Sequence, residues 1–309
     1  MEKQVVTIIG SYNVGFFFKG KSLPLLGETI IGDKFIEGGG GKGSNQAIAA
    51  AVLGADTRFI CTLGADKYGI DALRMYRGKG INIDFIRFEP CIHSGMSVVI
   101  IDDRGNNIIS VVPGANLLLN EKDIDNAVEL IEKSFIVGFQ LENRHETVFY
   151  GIKKARSLGV KTFLDPAPAK KLPDDLYKYI DIIKPNETEA TILTDIQVGD
   201  IESAAEAGKW FLNRGVRTAI ITLGHQGSVL VTEGLTRHFP ALKVEAVDTT
   251  GAGDIFSGGL LASLVKNKSM EESIEYATCA AGIATTVLGV IESIPSPEEV
   301  LKMMELKNC

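Results

Sequence analysis

The chain is poor in the residues that staple or metallate small proteins. Its 309 residues include four cysteines, Cys61, Cys91, Cys279 and Cys309, with no CxxC spacing among them. No histidine stands close enough to complete a zinc site, so buried or incidental thiols are expected rather than a metal module. His93, His145, His225 and His238 are scattered as well, which gives a Ser-His-Asp hydrolase little support. Positive charge is not in excess: 32 basic and 39 acidic residues leave a formal charge of −7. That mean field argues against nucleic acid or an anionic membrane as partner and favours a small molecule. Long apolar runs are missing too. The longest uncharged stretch, Tyr276 to Ile291, is diluted by Thr and Gly and falls short of the ~20 residues of a membrane span. Met1-Glu2-Lys3-Gln4 opens without the basic segment and apolar core of a secretory signal, so a reducing cytoplasm is the expected location.

What is present is enough apolar material, 45% of the residues, to exclude disorder and build a large core. Length alone allows one large α/β domain or two smaller ones at ~100 to 200 residues each. The apolar run Gln4 to Gly10 reads as a strand buried on both faces. Similar runs at Thr57 to Leu63, Phe135 to Leu141, Lys161 to Leu164, Ile180 to Ile183 and Thr218 to Leu223 alternate with helical patterns. Those patterns are Asp66 to Gly78, Asn120 to Lys133, His145 to Leu158, Ser203 to Asn213 and Ser296 to Leu306. Such alternation predicts a doubly wound α/β sheet. Two regions break it. Ser11 to Gly39 is rich in glycine and aromatics and reads as extended and loop-like. Ser94 to Val112 reads as two β runs around the turn Asp102-Asp103-Arg104-Gly105-Asn106-Asn107. Together they predict a small β lid inserted into the α/β domain, and no repeat, low-complexity tract or linker divides the chain.

Several glycine-rich segments invite a phosphate-binding reading. Gly15 to Ser22 fits GxxxxGK[ST], but three phenylalanines fill the loop and Pro24 and Gly27 interrupt any following helix, so the match is a coincidence. Gly38 to Gly43 fits GxGxxG before the helical run Ser44 to Leu53. It does not follow the first strand, as a dinucleotide fingerprint would. What the cluster does establish is close backbone approach to something, with Lys42 and Asn45 beside it as donors; the plainer alternative is a tight turn into a helix. In Asp248-Thr249-Thr250-Gly251-Ala252-Gly253-Asp254 the amides of Gly251, Ala252 and Gly253 would gather before the helical run Ile255 to Val265 and form an anion site. Asp254 beside them could take a proton from an attacking hydroxyl, or merely complement the helix dipole. Asn186 and Glu189 share one helical face, where they could hold water around magnesium or form an ordinary acidic helix start. Thr222 to Gly227 ends a strand and reads as a nucleotide-adjacent turn or as a plain strand-to-strand loop.

In this order, over nearly the whole chain, these motifs resemble the phosphofructokinase-B-type carbohydrate kinase family, and within it the ribokinase-like branch. Gly40-Gly41-Lys42-Gly43-Ser44-Asn45-Gln46 is similar to the amino-terminal signature, Asp248 to Asp254 to the carboxy-terminal one, and Asn186 to Glu189 to the NxxE element. Matches to the branch itself are Gly10 to Asn13, Gln140-Leu141-Glu142, Asp165 to Ala169, Lys184 to Glu189 and Thr222 to Gly224. The resemblance implies an α/β, ribokinase-like doubly wound sheet with a small inserted β lid, in one kinase domain over residues 1–309 with the lid at about 11–39 and 94–112. It implies ATP-dependent phosphorylation of the terminal 5-hydroxyl of a pentose, ribose or a close analogue.

Asp254 would be the base and Gly251, Ala252 and Gly253 the anion hole. Asn13, Gly41, Lys42, Gly43, Ser44, Asn45 and Glu142 would hold the sugar. Asn186, Thr222, Leu223, Gly224, His225, Gln226, Gly227, Gly253 and Thr278 would line the ATP pocket. Asn186 and Glu189 would organise magnesium through water, and Asp248, Thr250, Ala284, Val287, Gly289 and Ser293 would hold potassium. The lid would pair with its twin in a homodimer. Gly15 stands where the branch carries an Asp that bonds sugar hydroxyls, and Thr278 where it often carries His. The first departure leaves 2-deoxyribose, a fructose-type sugar or a nucleoside as alternative substrates. Two other classes remain as rivals: a nicotinamide-dependent oxidoreductase, resting on GxGxxG, and a non-catalytic sugar-binding regulator.

Overall fold

A computed structural model describes residues 4–104 and 106–307. The opening residues Met1-Glu2-Lys3, the turn residue Gly105, and Asn308 with the thiol Cys309 lie outside the described residues. The strands are β1 (Val5–Ile9), β2 (Asn13–Lys19), β3 (Lys34–Gly40), β4 (Asp56–Gly64), β5 (Ile86–Glu89), β6 (Gly95–Ile101), β7 (Asn107–Val112), β8 (Ile136–Phe139), β9 (Lys161–Leu164), β10 (Ile182–Ile183), β11 (Thr218–Thr222), β12 (Ser228–Thr232) and β13 (Leu235–Phe239). A nine-stranded sheet runs in the order β13-β12-β11-β10-β9-β8-β1-β4-β5. Its strands from β11 to β5 are parallel, and β12 and β13 extend one edge antiparallel.

Period-two alternation explains why those short runs are apolar throughout. Ile9, Val137, Phe139, Ala219 and Ile221 enter one core, whereas their neighbours Val6, Ile8, Ile136 and Ile220 enter the core on the opposite face. Helices α1 (Lys42–Val52) and α2 (Lys67–Gly78) pack on the second face. The short helices α3 (Glu121–Asn126) and α4 (Val128–Glu132) and the longer α5 (His145–Ser157), α6 (Glu187–Thr194) and α7 (Ile201–Leu212) pack on the first. Helices α8 (Ala252–Leu264) and α9 (Met270–Ala284) return to the second face, with α10 (Pro297–Lys307) behind them.

A separate four-stranded sheet has the order β3-β2-β6-β7. It is built from the two regions that broke the helix-strand rhythm. Ser11 to Gly39, expected to be loop-like, holds two paired strands, with residues 11–12 and 20–33 irregular. The P-loop lookalike begins inside β2, so no phosphate-wrapping loop opens a helix there. The single helix expected over Asn120 to Lys133 is two short ones, because Ala127 (φ −98°, ψ 10°) leaves helical geometry. Strand β5 and the β12–β13 hairpin, turned through Gly234 at φ 80°, had no counterpart among the sequence-predicted elements.

Candidate active site

The polar residues converge where the parallel strands end, the region in which open α/β sheets bind ligands. Chain leaving β1 carries Ser11 and Asn13, chain leaving β8 carries Gln140 and Glu142, and chains leaving β9 and β10 carry Asp165, Lys184 and Asn186. The glycine cluster is explained by the protein's own backbone. A Cβ at Gly41 (φ 90°) would sit 2.7 Å from the Asn13 nitrogen, and one at Gly43 would sit 2.5 Å from the Ser11 nitrogen. Only glycine lets α1 start against the β1–β2 connection. That contact lets the Lys42 amide donate to Glu142 Oε2 at 2.8 Å, the oxygen that also accepts from the Ser11 hydroxyl at 2.5 Å. Asn13 Nδ2 lies 3.5 Å from Glu142 Oε1. Asn13, Gly41, Lys42, Gly43 and Glu142 therefore cluster together. Ser44 turns away from them, since its hydroxyl accepts from Tyr76 at 2.9 Å and its amide donates to the Ser11 carbonyl.

Asp254 is the third residue of α8 and is only 6% exposed. Gly258 brings α8 against α1, where a Cβ would meet Ala49 at 2.4 Å. The approach places two α1 amides on the carboxylate. Asn45 Nδ2 donates to Asp254 Oδ2 at 2.9 Å and Gln46 Nε2 to Oδ1 at 3.1 Å. Asn45 Oδ1 is buried without a partner, an acceptor waiting for a donor. No side chain caps α8, whose start turns through Gly251 at φ 73°; such a helix end leaves amides open to an anion. Of the three amides expected there, Ala252's donates to the Thr249 carbonyl at 3.2 Å.

Behind Asp254 lies a network that sequence reasoning missed. Asp165 and Lys184 form a buried ion pair at 2.9 Å. Gln46 and Ser257 donate to the same Asp165 oxygen, Lys184 donates to the Gly253 carbonyl at 3.1 Å, and Gln140 donates to Gln46 at 2.6 Å. Each of Gln46, Asp165 and Lys184 sits in a motif that was legible, but nothing local says that they meet. Lys42 faces this acidic set. Burial alone would lower the pKa of its ammonium, but Asp254, Asp165, Glu142 and Glu189 outweigh it and hold the charge on.

On the adjoining side, Asn186 and Glu189 form a capping box: the Asn186 side chain accepts the Glu189 amide at 2.8 Å and the Glu189 side chain accepts the Asn186 amide at 2.9 Å. The plain helix-start alternative is thus realised, and it uses one oxygen of each. Burial, followed by the charge of Asp165, pushes the Glu189 carboxyl above its ordinary range, so a cation nearby would be welcome. Among the described residues no cluster of three acidic, His or Cys side chains could cage a metal. The donor set fits magnesium that keeps its waters beside phosphates, and does not fit a dedicated protein cage.

Thr222 bridges to Asn186, so the two loops are neighbours. Gly224 (φ 49°) and Gly227 (φ 97°) shape the turn, His225 is exposed, and Gln226 donates to the Gly199 carbonyl. Leu223 is fully buried in the core, leaving only its backbone for a ligand. The Thr278 hydroxyl is spent on the Ile274 carbonyl within α9. Of the residues expected around potassium, Asp248 accepts from the Thr250 and Gly289 amides, while Val247 and Asp248 donate to the Thr285 carbonyl. Val287 follows Ala284 by one turn and Ser293 bonds the Val290 carbonyl. The two segments lie together, with Asp248 joined to Gly289 and Thr285 and Gly251 packed against Val290.

Comparison with known proteins gives the family. A family model described as pfkB family carbohydrate kinase matches residues 3–297. Ribokinase of Haemophilus influenzae is 37% identical over 303 residues, covering 98% of this chain and 99% of that relative. Deoxyribokinase of Salmonella typhi is 33% identical over 304 residues, covering 98% and 99%. The structure of Arabidopsis thaliana ribokinase complexed with ribose and ATP superimposes with a TM-score of 0.90 at 31% identity, covering 99% of each chain. The nicotinamide alternative falls: its GxGxxG lies across the end of β3 in the small sheet and the start of α1, against the protein's own backbone. On sequence, fold and the arrangement of its strand ends, the chain belongs to the pfkB family of carbohydrate kinases.

Proposed function

We propose that this enzyme transfers the γ-phosphoryl group of ATP to the terminal 5-hydroxyl of a pentose, ribose or a close analogue. One observation carries the reading: a buried carboxylate, Asp254, is gripped by two amides at an uncapped helix start, next to the unpartnered acceptor Asn45 Oδ1. The carboxylate accepts the proton of the attacking hydroxyl, and the first-turn amides of α8 stabilise charge on the phosphoryl oxygens. Lys42, held cationic, adds positive charge to the same space. Gln46 orients Asp254 from behind, and the Asp165–Lys184 pair fixes the Gly253 carbonyl and with it the start of α8. Asn186, Thr222 to Gly227 and Thr278 line the nucleotide side. Magnesium held through water by Asn186 and Glu189 would neutralise phosphate charge. Potassium at Asp248, Thr250, Ala284, Val287, Gly289 and Ser293 would reinforce the anion site electrostatically.

The small sheet serves as a lid on the single kinase domain. Asn13, Gly15, Gly38 and Ser97 share its inner face. In the row Gly38–Gly15–Ser97, a Cβ at Gly38 would touch nothing within 4 Å. A Cβ at Gly15 would meet the Phe17 ring at 2.7 Å, so an aromatic edge stands where the family's carboxylate would be. That apolar edge favours a second reading, 2-deoxyribose, over ribose. On the opposite face the cross-strand row Phe35–Phe18–Ile100–Ile108 is apolar throughout, with Phe35, Phe18 and Ile108 exposed. A second copy of the chain would cover it and make the homodimer. An ADP-release assay over ribose, 2-deoxyribose, other pentoses, hexoses and nucleosides tests the reading. Turnover with ribose or 2-deoxyribose is expected, and inertness on every sugar would overturn it in favour of a non-catalytic regulator.

A further inference from the structure

The buried side chain of Asn116, between β7 and α3, makes three hydrogen bonds at the root of the small sheet. Its Oδ1 accepts from the Tyr12 amide at 2.9 Å; its Nδ2 donates to the Tyr12 carbonyl at 2.9 Å and to Asn13 Oδ1 at 3.0 Å. The Asn116 carbonyl accepts from Asn143, the neighbour of Glu142. Neither amide can turn over. A flipped Asn116 would face N–H to N–H and oxygen to oxygen across the Tyr12 backbone. A flipped Asn13 would set its nitrogen against Asn116 Nδ2 and its oxygen against the Glu142 carboxylate. Polarity is thus handed from a backbone peptide through Asn116 to Asn13, whose Nδ2 is left facing Glu142. On Glu142, Oε2 is already engaged by Ser11 and Lys42, while Oε1 has only the 3.5 Å approach of Asn13.

We propose that Asn116 is a positioning residue that fixes Asn13 as a donor beside the Glu142 acceptor, so that the corner expected to hold the sugar presents one donor and one acceptor to a single alcohol hydroxyl. A hydroxyl satisfies both groups, accepting from Asn13 and donating to Glu142. A carbonyl, ether or fluorine there would set a lone pair against the carboxylate. The inference rests on the sugar-kinase reading for what fills the corner, but not for how the corner is built.

Two experiments test it. In wild-type protein without sugar, NMR should show the Asn116 side-chain amide protons exchanging more slowly than those of Asn13, which has only the 3.5 Å approach to Glu142; equal or reversed rates overturn the proposal. This measurement depends neither on variants folding nor on catalysis, so a protein inert on every sugar would sink the kinase reading and leave this result standing. In the kinetic arm, Asn116→Asp should raise KM for the sugar turned over by about tenfold, the scale of one buried hydrogen bond, with KM for ATP unchanged. In an Asn13→Ala background the same substitution should add nothing. An unchanged sugar KM, or an equal and additive rise in that background, would show that Asn116 merely supports the fold.

Discussion

At the strand ends of the large sheet, Gln46, Asp165, Lys184 and Asp254 are almost wholly buried and each has partners. In the small sheet, Phe35 is 54% and Ile109 58% exposed, with no core closing over them. Buried polar groups are costly unless satisfied, so four residues paired this closely have their geometry fixed before any ligand arrives. Exposed apolar strands hold the opposite property: they gain only when something covers them. One region holds its groups in place, and the other leaves apolar strands uncovered.

The sharpest way to break the positioning half is Asp254→Asn, which keeps the shape but removes the proton acceptor. Turnover should fall roughly 10²- to 10⁴-fold with sugar and ATP binding retained, measured by ADP release and by calorimetry. Near-normal turnover would end the role of base. Next is Glu189→Gln. Burial raises the Glu189 carboxyl in the folded protein, so the unfolded chain loses this proton first, and the fold loses stability as pH rises from the unfolded value toward the folded one. Glutamine preserves the capping box and escapes that cost. Tm at neutral pH should hold or rise while turnover drops and the magnesium requirement steepens; a parallel loss of Tm would mark Glu189 as purely structural.

The association half is tested by Ile108→Lys on the apolar row. Sedimentation should show the dimer giving way to monomer with Tm little changed, whereas a wild-type monomer would dismiss the homodimer. The smallest effect concerns the seam between the two regions. Burial pushes the Asp66 carboxyl up, but hydrogen bonds from the Gly69 amide and from the amide and hydroxyl of Ser94 outweigh it and hold it below its usual range. Its contribution is therefore present above the unfolded value of about 3.9 and is lost as pH falls through the folded one. Asp66→Asn should cost a small amount of Tm at pH 7, and that deficit should close in acid.

Much of this was legible in residue order. The apolar runs of β1, β4, β8, β9 and β11 announced strands buried on both faces, because a sheet covered by helices on both sides keeps its strands largely apolar. Strand β13 was not announced, since this exposed outer strand, Leu235-Thr236-Arg237-His238-Phe239, lacks that continuous apolar character. Ser44 stood in a signature yet turned to Tyr76, because a motif fixes residue identity and not the direction a helix presents.

Sequence alone determined the chemistry on offer: a helix-start carboxylate, glycines where backbones must touch, and an acidic balance unsuited to polyanions. Tertiary structure decided who meets whom. Gln46 and Asp254 lie 208 positions apart yet share a hydrogen bond, and Asn116 reaches Asn13 across 103. Contacts of that span come from the packing of α1 on α8 and of the chain after β7 on the β1–β2 connection, which no local pattern encodes.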